Sequence, residues 1–72
     1  MIEPALALVE FSSIAAGVQA ADAMVKRAPI DVIRAGTVHN GKYLVLIGGE
    51  VADVEESLAA GRLVGGTTVL DY

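Results

Sequence analysis

The 72-residue sequence has no cysteine and a single histidine, so neither disulfides nor a multi-histidine metal site can stabilise it. It also has no tryptophan, two tyrosines and one phenylalanine, although 54% of its residues are hydrophobic. A domain of this length typically buries only about 60% of the surface of its unfolded chain, so a self-contained core is marginal. Because disulfides and a metal site are excluded and the core is marginal, we expect oligomerisation to stabilise the folded domain.

Basic residues are few, with five Lys and Arg against nine Asp and Glu and a net charge of −4. A nucleic-acid binder needs a concentrated basic face, which this balance does not supply. No apolar run reaches the roughly 20 residues of a membrane helix, and Glu3 stands where a signal peptide would be basic. We expect a cytoplasmic protein with no nucleic-acid or membrane partner.

The first half of the sequence predicts a strand followed by a helix. Residues 5–11 form a short apolar run, Ser12 and Ser13 are good helix N-caps, and Pro29 stops the helix near Ala28. Helical spacing predicts an apolar stripe of four residues, Ile14, Val18, Ala21 and Val25. The rest of the helix surface is small: Ala15, Ala16, Gly17, Ala20 and Ala23. A second backbone could approach such a surface closely.

The second half predicts a hairpin, a helix and a last strand. Residues 30–38 and 43–47 are extended segments, and Asn40-Gly41 favours a two-residue turn between them. Gly48-Gly49 ends the second of these strands, and a helix with an acidic start and the stripe Val51, Val54 and Leu58 follows. With residues 67–70 as a strand, the order is β-α-β-β-α-β. This predicts an α+β fold with a mostly antiparallel four-stranded sheet, two helices on one face, and the other face solvated or covered.

Three segments of the sequence, residues 8–15, 20–26 and 48–55, resemble the bacterial microcompartment (BMC) shell domain. The stretch Ala-Asp-Ala-Met-Val-Lys at 21–26 is the most specific of them. The resemblance implies self-assembly into hexagonal tiles with a central pore for small metabolites, and further shell proteins as partners. Ser-Ser-Ile-Ala-Ala-Gly at 12–17 is more like the first half of tandem shell proteins, which form trimers. We therefore expect residues 1–72 to be a single BMC-like domain that lacks its C-terminal part and a second domain.

The resemblance also implies which residues carry the function. It implies a tile-edge contact for Lys26 and Arg27, whereas the plain alternative is a solvated lysine near a helix C-terminus. It places His39, Asn40, Gly41 and Lys42 at the pore, where Lys42 and a protonated His39 would favour anionic metabolites. The alternative is that these residues only form the turn and its solvated ends.

Catalytic and cofactor patterns are weak in this sequence. Glu55 and Glu56 are adjacent, so they point to different parts of a helix, and Ser12 and Ser13 have no evident histidine partner except His39 on another element. The glycine pairs match no phosphate-binding pattern, and without cysteine an iron-sulfur cluster is not supported. We expect no enzyme activity, cofactor or metal, and the alternative function is a small regulatory ligand-binding domain of similar layout.

Overall fold

A computed structural model describes residues 5–71 of the chain, and predictions that involve residues 1–4 or Tyr72 lie outside the described residues. The elements, in chain order, are β1 (Ala5–Phe11), α1 (Ile14–Arg27), β2 (Asp31–Val38), β3 (Lys42–Gly49), α2 (Val51–Gly65) and β4 (Val69–Asp71). Short 3-10 turns precede β3 and β4. This order confirms the predicted β-α-β-β-α-β layout.

The four strands form one sheet in the order β2-β3-β1-β4, and every pairing is antiparallel. Val9 of β1 pairs with Val45 of β3, and both side chains are fully buried. They join Ala20, Met24 and Val54 of the helices in the core. Both helices therefore cover the same face of the sheet, as predicted. We call the opposite side of the sheet the open face.

The buried stripe of α1 differs from the predicted one, because its buried residues are Gly17, Ala20 and Met24. A Cβ at Gly17 would lie 2.5 Å from the Cβ of Tyr43, so the helix backbone rests directly on the sheet. Only small residues fit this close approach, and Met24, also buried, packs near Gly61 of α2. The predicted aliphatic stripe is wrong, since three of its members are exposed: Ile14, Val18 and Val25. Gly17 and Ala20 therefore serve the domain's own packing.

The two helices are joined to each other as one layer. The Ser57 hydroxyl donates a hydrogen bond to the carbonyl of Met24 at 2.9 Å, and both residues are fully buried. A Cβ at Gly61 would lie 2.5 Å from the Met24 sulfur, which shows how closely the helices pack here. A buried hydroxyl is costly unless it is hydrogen-bonded, so Ser57 fixes the position of α2 along α1.

The start and end of α2 follow the sequence signals in part. Asp53 lies in the first turn, where a negative charge is favoured, and Gly66 ends the helix with a φ of 55°. Val54 is buried as predicted, but Val51 is half exposed. The last strand starts later than predicted, because Thr68 belongs to a 3-10 turn in which its hydroxyl donates to the Gly65 carbonyl at 2.6 Å.

Candidate assembly and pore surfaces

The connection between β2 and β3 is a three-residue turn. Val38 pairs with Lys42 across the hairpin, and His39–Gly41 form a 3-10 turn between them. Gly41 has a φ of 72°, a conformation that glycine adopts freely. A turn of this kind closed by a left-handed residue is a common three-residue hairpin loop. The hairpin and the role of Gly41 are confirmed, whereas the prediction of a two-residue turn at Asn40-Gly41 is wrong by one residue.

The turn brings the predicted pore residues to one tip of the molecule. The last pair between β1 and β3 is Phe11 with Tyr43, so Lys42 and the turn extend past the end of β1. His39 is exposed and Lys42 is half-buried, and neither forms an ion pair with another described residue. The side chain of Asn40 lies outside what the structure describes. Two cationic or titratable groups are thus available at this tip for an external partner.

Lys26 lies in the last turn of α1 with 74% of its side chain exposed. Its ammonium group is 2.8 Å from a carboxylate oxygen of Asp22, one helical turn earlier. Exposed ion pairs at this spacing contribute only about 0.3–0.5 kcal/mol, so the pair does little for the fold. The amine therefore remains accessible to a neighbouring molecule.

Arg27 has a different environment from Lys26, although the two residues are adjacent in the chain. Its guanidinium forms an ion pair with the carboxylate of Glu56, which links the end of α1 to α2. Both side chains are more than half exposed. The two predicted edge residues therefore have different ion-pair partners. Lys26 pairs with a residue of its own helix, whereas Arg27 pairs with a residue of α2.

A shallow groove lies on the outer surface of the helix layer. Its lining residues are Arg27, Ala52, Glu55, Glu56, Ala59, Ala60 and Leu63. This lining has no hydroxyl or imidazole group, so it lacks a nucleophile paired with a base. Within residues 5–71, no three His, Asp or Glu side chains are grouped so that they could hold a metal ion. Over the same range, no helix is long and apolar enough to cross a membrane.

Sequence reasoning missed the uneven burial of β1. The run Ala-Leu-Ala-Leu alternates small and large residues, and the structure places the alanines toward the helices and the leucines on the open face. Leu6 is 66% exposed and Leu8 is 45% exposed. The alternation of small and large residues with a period of two is visible in the sequence and could have predicted this burial. The sequence prediction used residues 5–11 only as an apolar run.

The layered α+β fold, the small buried residues of α1 and the exposed hairpin tip define this class of small domain. The family model named BMC domain matches residues 5–72. The chain therefore belongs to the BMC domain family. This confirms the family resemblance seen in the sequence.

Individual relatives support this assignment. The chain is 36% identical over 67 residues to "Bacterial microcompartment shell protein PduT" of Citrobacter freundii, covering 93% of this chain and 36% of that protein. It is 37% identical over 57 residues to "Carboxysome shell protein CcmK2" of Thermosynechococcus vestitus, covering 79% of this chain and 56% of that protein. The chain thus spans about a third of one relative's length and just over half of the other's.

A solved structure shows the same fold. A microcompartments protein from Desulfitobacterium hafniense superimposes with a TM-score of 0.93 at 48% sequence identity. The match covers 99% of this chain and 39% of the other chain. The same fold therefore makes up one part of that longer protein.

Proposed function

We propose that this chain is a structural shell domain that assembles with copies of itself and with other shell proteins into tiles of a bacterial microcompartment in the cytoplasm. The family match over residues 5–72 is the observation that carries the proposal. The relatives are shell proteins by name, which favours assembly over the regulatory alternative. In this account the domain performs no catalysis, and its assembly is a trimer or a hexamer.

Negative-stain electron microscopy of the purified protein tests this function. We expect rings of trimeric or hexameric symmetry, or flat sheets built from them. Amorphous aggregates or featureless single particles under conditions that preserve the folded domain would contradict the proposal.

The exposed Lys26 is proposed to contact a neighbouring tile. Its accessible amine and the small contribution of its ion pair with Asp22 support a role outside the domain. We expect Lys26→Ala to leave single rings intact but to prevent their growth into sheets, and electron microscopy measures both. Asp22→Ala is the matched control because it removes the same ion pair and keeps the amine. Sheet loss in both variants would show that only the helix surface had been disturbed.

The hairpin tip is proposed to line a central pore. The tip extends past β1, carries His39 and Lys42, and has no ion pair with the described part of the chain. In a ring, each chain would contribute one His39 and one Lys42, and these groups would surround the central axis. A ring of like charges selects permeants by sign, so anionic metabolites would pass more readily than cations.

Charge reversal at the tip tests the proposed selectivity. We expect Lys42→Glu to lower the flux of small anionic metabolites through assembled shells about tenfold, because the ring of ammonium groups becomes a ring of carboxylates. The flux of neutral molecules of similar size should change little. Lys42→Arg keeps the charge and should behave as the parent. Unchanged anion flux in Lys42→Glu would exclude this role for Lys42.

A further inference from the structure

The outer surface of α2 carries the most exposed leucine among the described residues. Leu63 is 84% exposed, and it lies beside the shallow groove of the helix layer. The buried residues of α2 are all on one side of the helix: Val54, Ser57, Gly61 and Gly65. With 3.6 residues per turn, Leu63 lies on the opposite side, in line with Ala52 and Ala59. The described part of the chain therefore leaves a large apolar side chain uncovered on the outside of the helix layer.

The groove beside Leu63 has the form that receives such a side chain from another helix. In closely packed helices, a large side chain enters a hole between four residues of the facing helix. Four groove residues have the required spacing of i, i+3, i+4 and i+7: Ala52, Glu55, Glu56 and Ala59. All four are exposed, and the two alanines leave room for an incoming side chain. One face of α2 thus carries both a projecting leucine and a hole that fits a leucine.

The occupant that these features fit is a second copy of the same helix, lying antiparallel. When Leu63 of each copy enters the hole of the other, the two contacts are equivalent and a two-fold axis relates them. This register places the axis near Ala59, so the helices meet there at small side chains. In such a pair, each flank of one helix faces the same flank of the other, with the chain direction reversed.

The charges on one flank of α2 agree with this arrangement. Glu55 and Arg62 are seven residues apart, so they lie on the same flank of the helix. Reversal of the chain direction sets Arg62 of one copy beside Glu55 of the other, and the two-fold axis repeats the pair. The opposite flank carries Glu56, which pairs with Arg27 of α1. The surface is therefore complementary to itself in both shape and charge.

Symmetry determines which copies this contact joins. A two-fold contact uses the same surface on both copies and is complete after two of them, so it does not close a ring of three or six. We infer that the outer face of α2 binds α2 of a copy that belongs to a different ring. This contact goes beyond the proposed shell function, and neither Lys26 nor the hairpin tip takes part in it.

A single contact of this kind is weak. The 15 residues of α2 span about 22 Å, and a strip about 10 Å wide along the helix covers about 220 Å². A stable pairwise interface buries about 800 Å² on each partner. Two rings make several such contacts at once, and linked contacts strengthen one another. Rings should therefore join at concentrations at which separate domains do not.

Charge reversal followed by rescue tests the inference. Arg62→Glu sets like charges beside each other across the axis, so we expect the fraction of joined rings to fall at least tenfold by mass photometry, with single rings intact. Glu55→Arg should have the same effect. The double variant Glu55→Arg/Arg62→Glu restores opposite charges and the parent's net charge, so it should join rings as the parent does. Circular dichroism checks that each variant is folded.

Cross-linking supplies a second measurement that removes no charge. The chain has no cysteine, so Ala59→Cys carries one thiol. Because Ala59 lies near the inferred axis, a short bismaleimide should join two chains at least tenfold faster than in the control Gln19→Cys, which is on the exposed side of α1. Adjacent copies within a ring meet through different surfaces, so the control thiols stay apart.

The outcomes separate this inference from the shell function. Parent rings that stay single at every accessible concentration overturn the inference and leave the shell function standing. A folded double variant that behaves like the single reversals, or equal cross-linking of Ala59→Cys and Gln19→Cys, has the same consequence. A parent protein that forms no rings overturns the shell function. In that protein, fast cross-linking of Ala59→Cys would still support pairing through α2, and slow cross-linking would overturn it.

Discussion

Phe11→Ala should remove a large part of the stability of the domain. The Phe11 ring is fully buried on the helix side of β1. Truncating a buried phenylalanine to alanine costs about 3–5 kcal/mol, because contacts are lost and a cavity remains. A domain of 72 residues has an unfolding free energy of about 4–11 kcal/mol at typical values per residue. The variant should therefore unfold at a much lower urea concentration, followed by circular dichroism at fixed protein concentration.

Leu63→Ala is the control for this measurement. Leu63 is 84% exposed on α2, so its truncation should change the unfolding free energy by less than about 0.5 kcal/mol. If the two variants lost equal stability, the assignment of the core to the helix side of the sheet would be wrong. Protein concentration must be held constant, since association stabilises the folded state by mass action.

Gly65→Ala should destabilise the domain through a direct clash. A Cβ at Gly65 would lie 2.5 Å from the Phe11 Cε1 and 2.9 Å from the Val69 Cγ2. Gly65 has a helical φ of −67°, so alanine brings no backbone strain, and the effect is steric. Overpacking costs about 1–3 kcal/mol, whereas replacing glycine by alanine in a helix gains up to about 1 kcal/mol. We expect a net loss of about 1–2 kcal/mol by urea unfolding.

Gly36→Ala on β2 is the matched control, because a Cβ there would have nothing within 4 Å. Its unfolding free energy should stay within about 0.5 kcal/mol of the parent. Gly61→Ala should fall between the two, since its neighbour, the Met24 side chain, is flexible and can move aside. A Gly65→Ala variant as stable as Gly36→Ala would contradict the close packing of α2 against β1.

Short-range sequence features predicted the helices, strands and turns well where these depend on residues close together in the chain. The bounds of β1 agree with the predicted strand, and Ser13 caps α1 by accepting a hydrogen bond from the Ala16 N–H at 3.2 Å. Gly41 has the positive φ expected of the hairpin. These features follow from backbone preferences and short-range hydrogen bonds, which a single sequence records.

The distances between packed helices and strands were harder to predict from the sequence. Large aliphatic residues were assigned to the buried stripe of α1, but Gly17 and Ala20 occupy it because the helix lies close to the sheet. The separation between a helix and a sheet depends on residues far apart in the chain, here Gly17 and Tyr43. For the same reason, periodicity did not reveal that Arg27 pairs with Glu56 on α2.

The candidate site was predicted mainly through the family resemblance. The sequence alone placed His39 and Lys42 at the ends of a turn and Lys26 near the end of a helix, and the structure agrees with these positions. The edge and pore roles remain predictions because they depend on neighbouring copies. A single chain shows which groups are exposed but does not contain the surfaces that they would meet.

The native mass of the complete gene product tests the central claim most directly. The proposed function depends on association of the domain with copies of itself and with other shell proteins. It predicts that most of the protein at high concentration has the mass of a closed trimer, a hexamer or a larger multiple of these. A well-folded product that keeps the mass of one chain at every accessible concentration would contradict it.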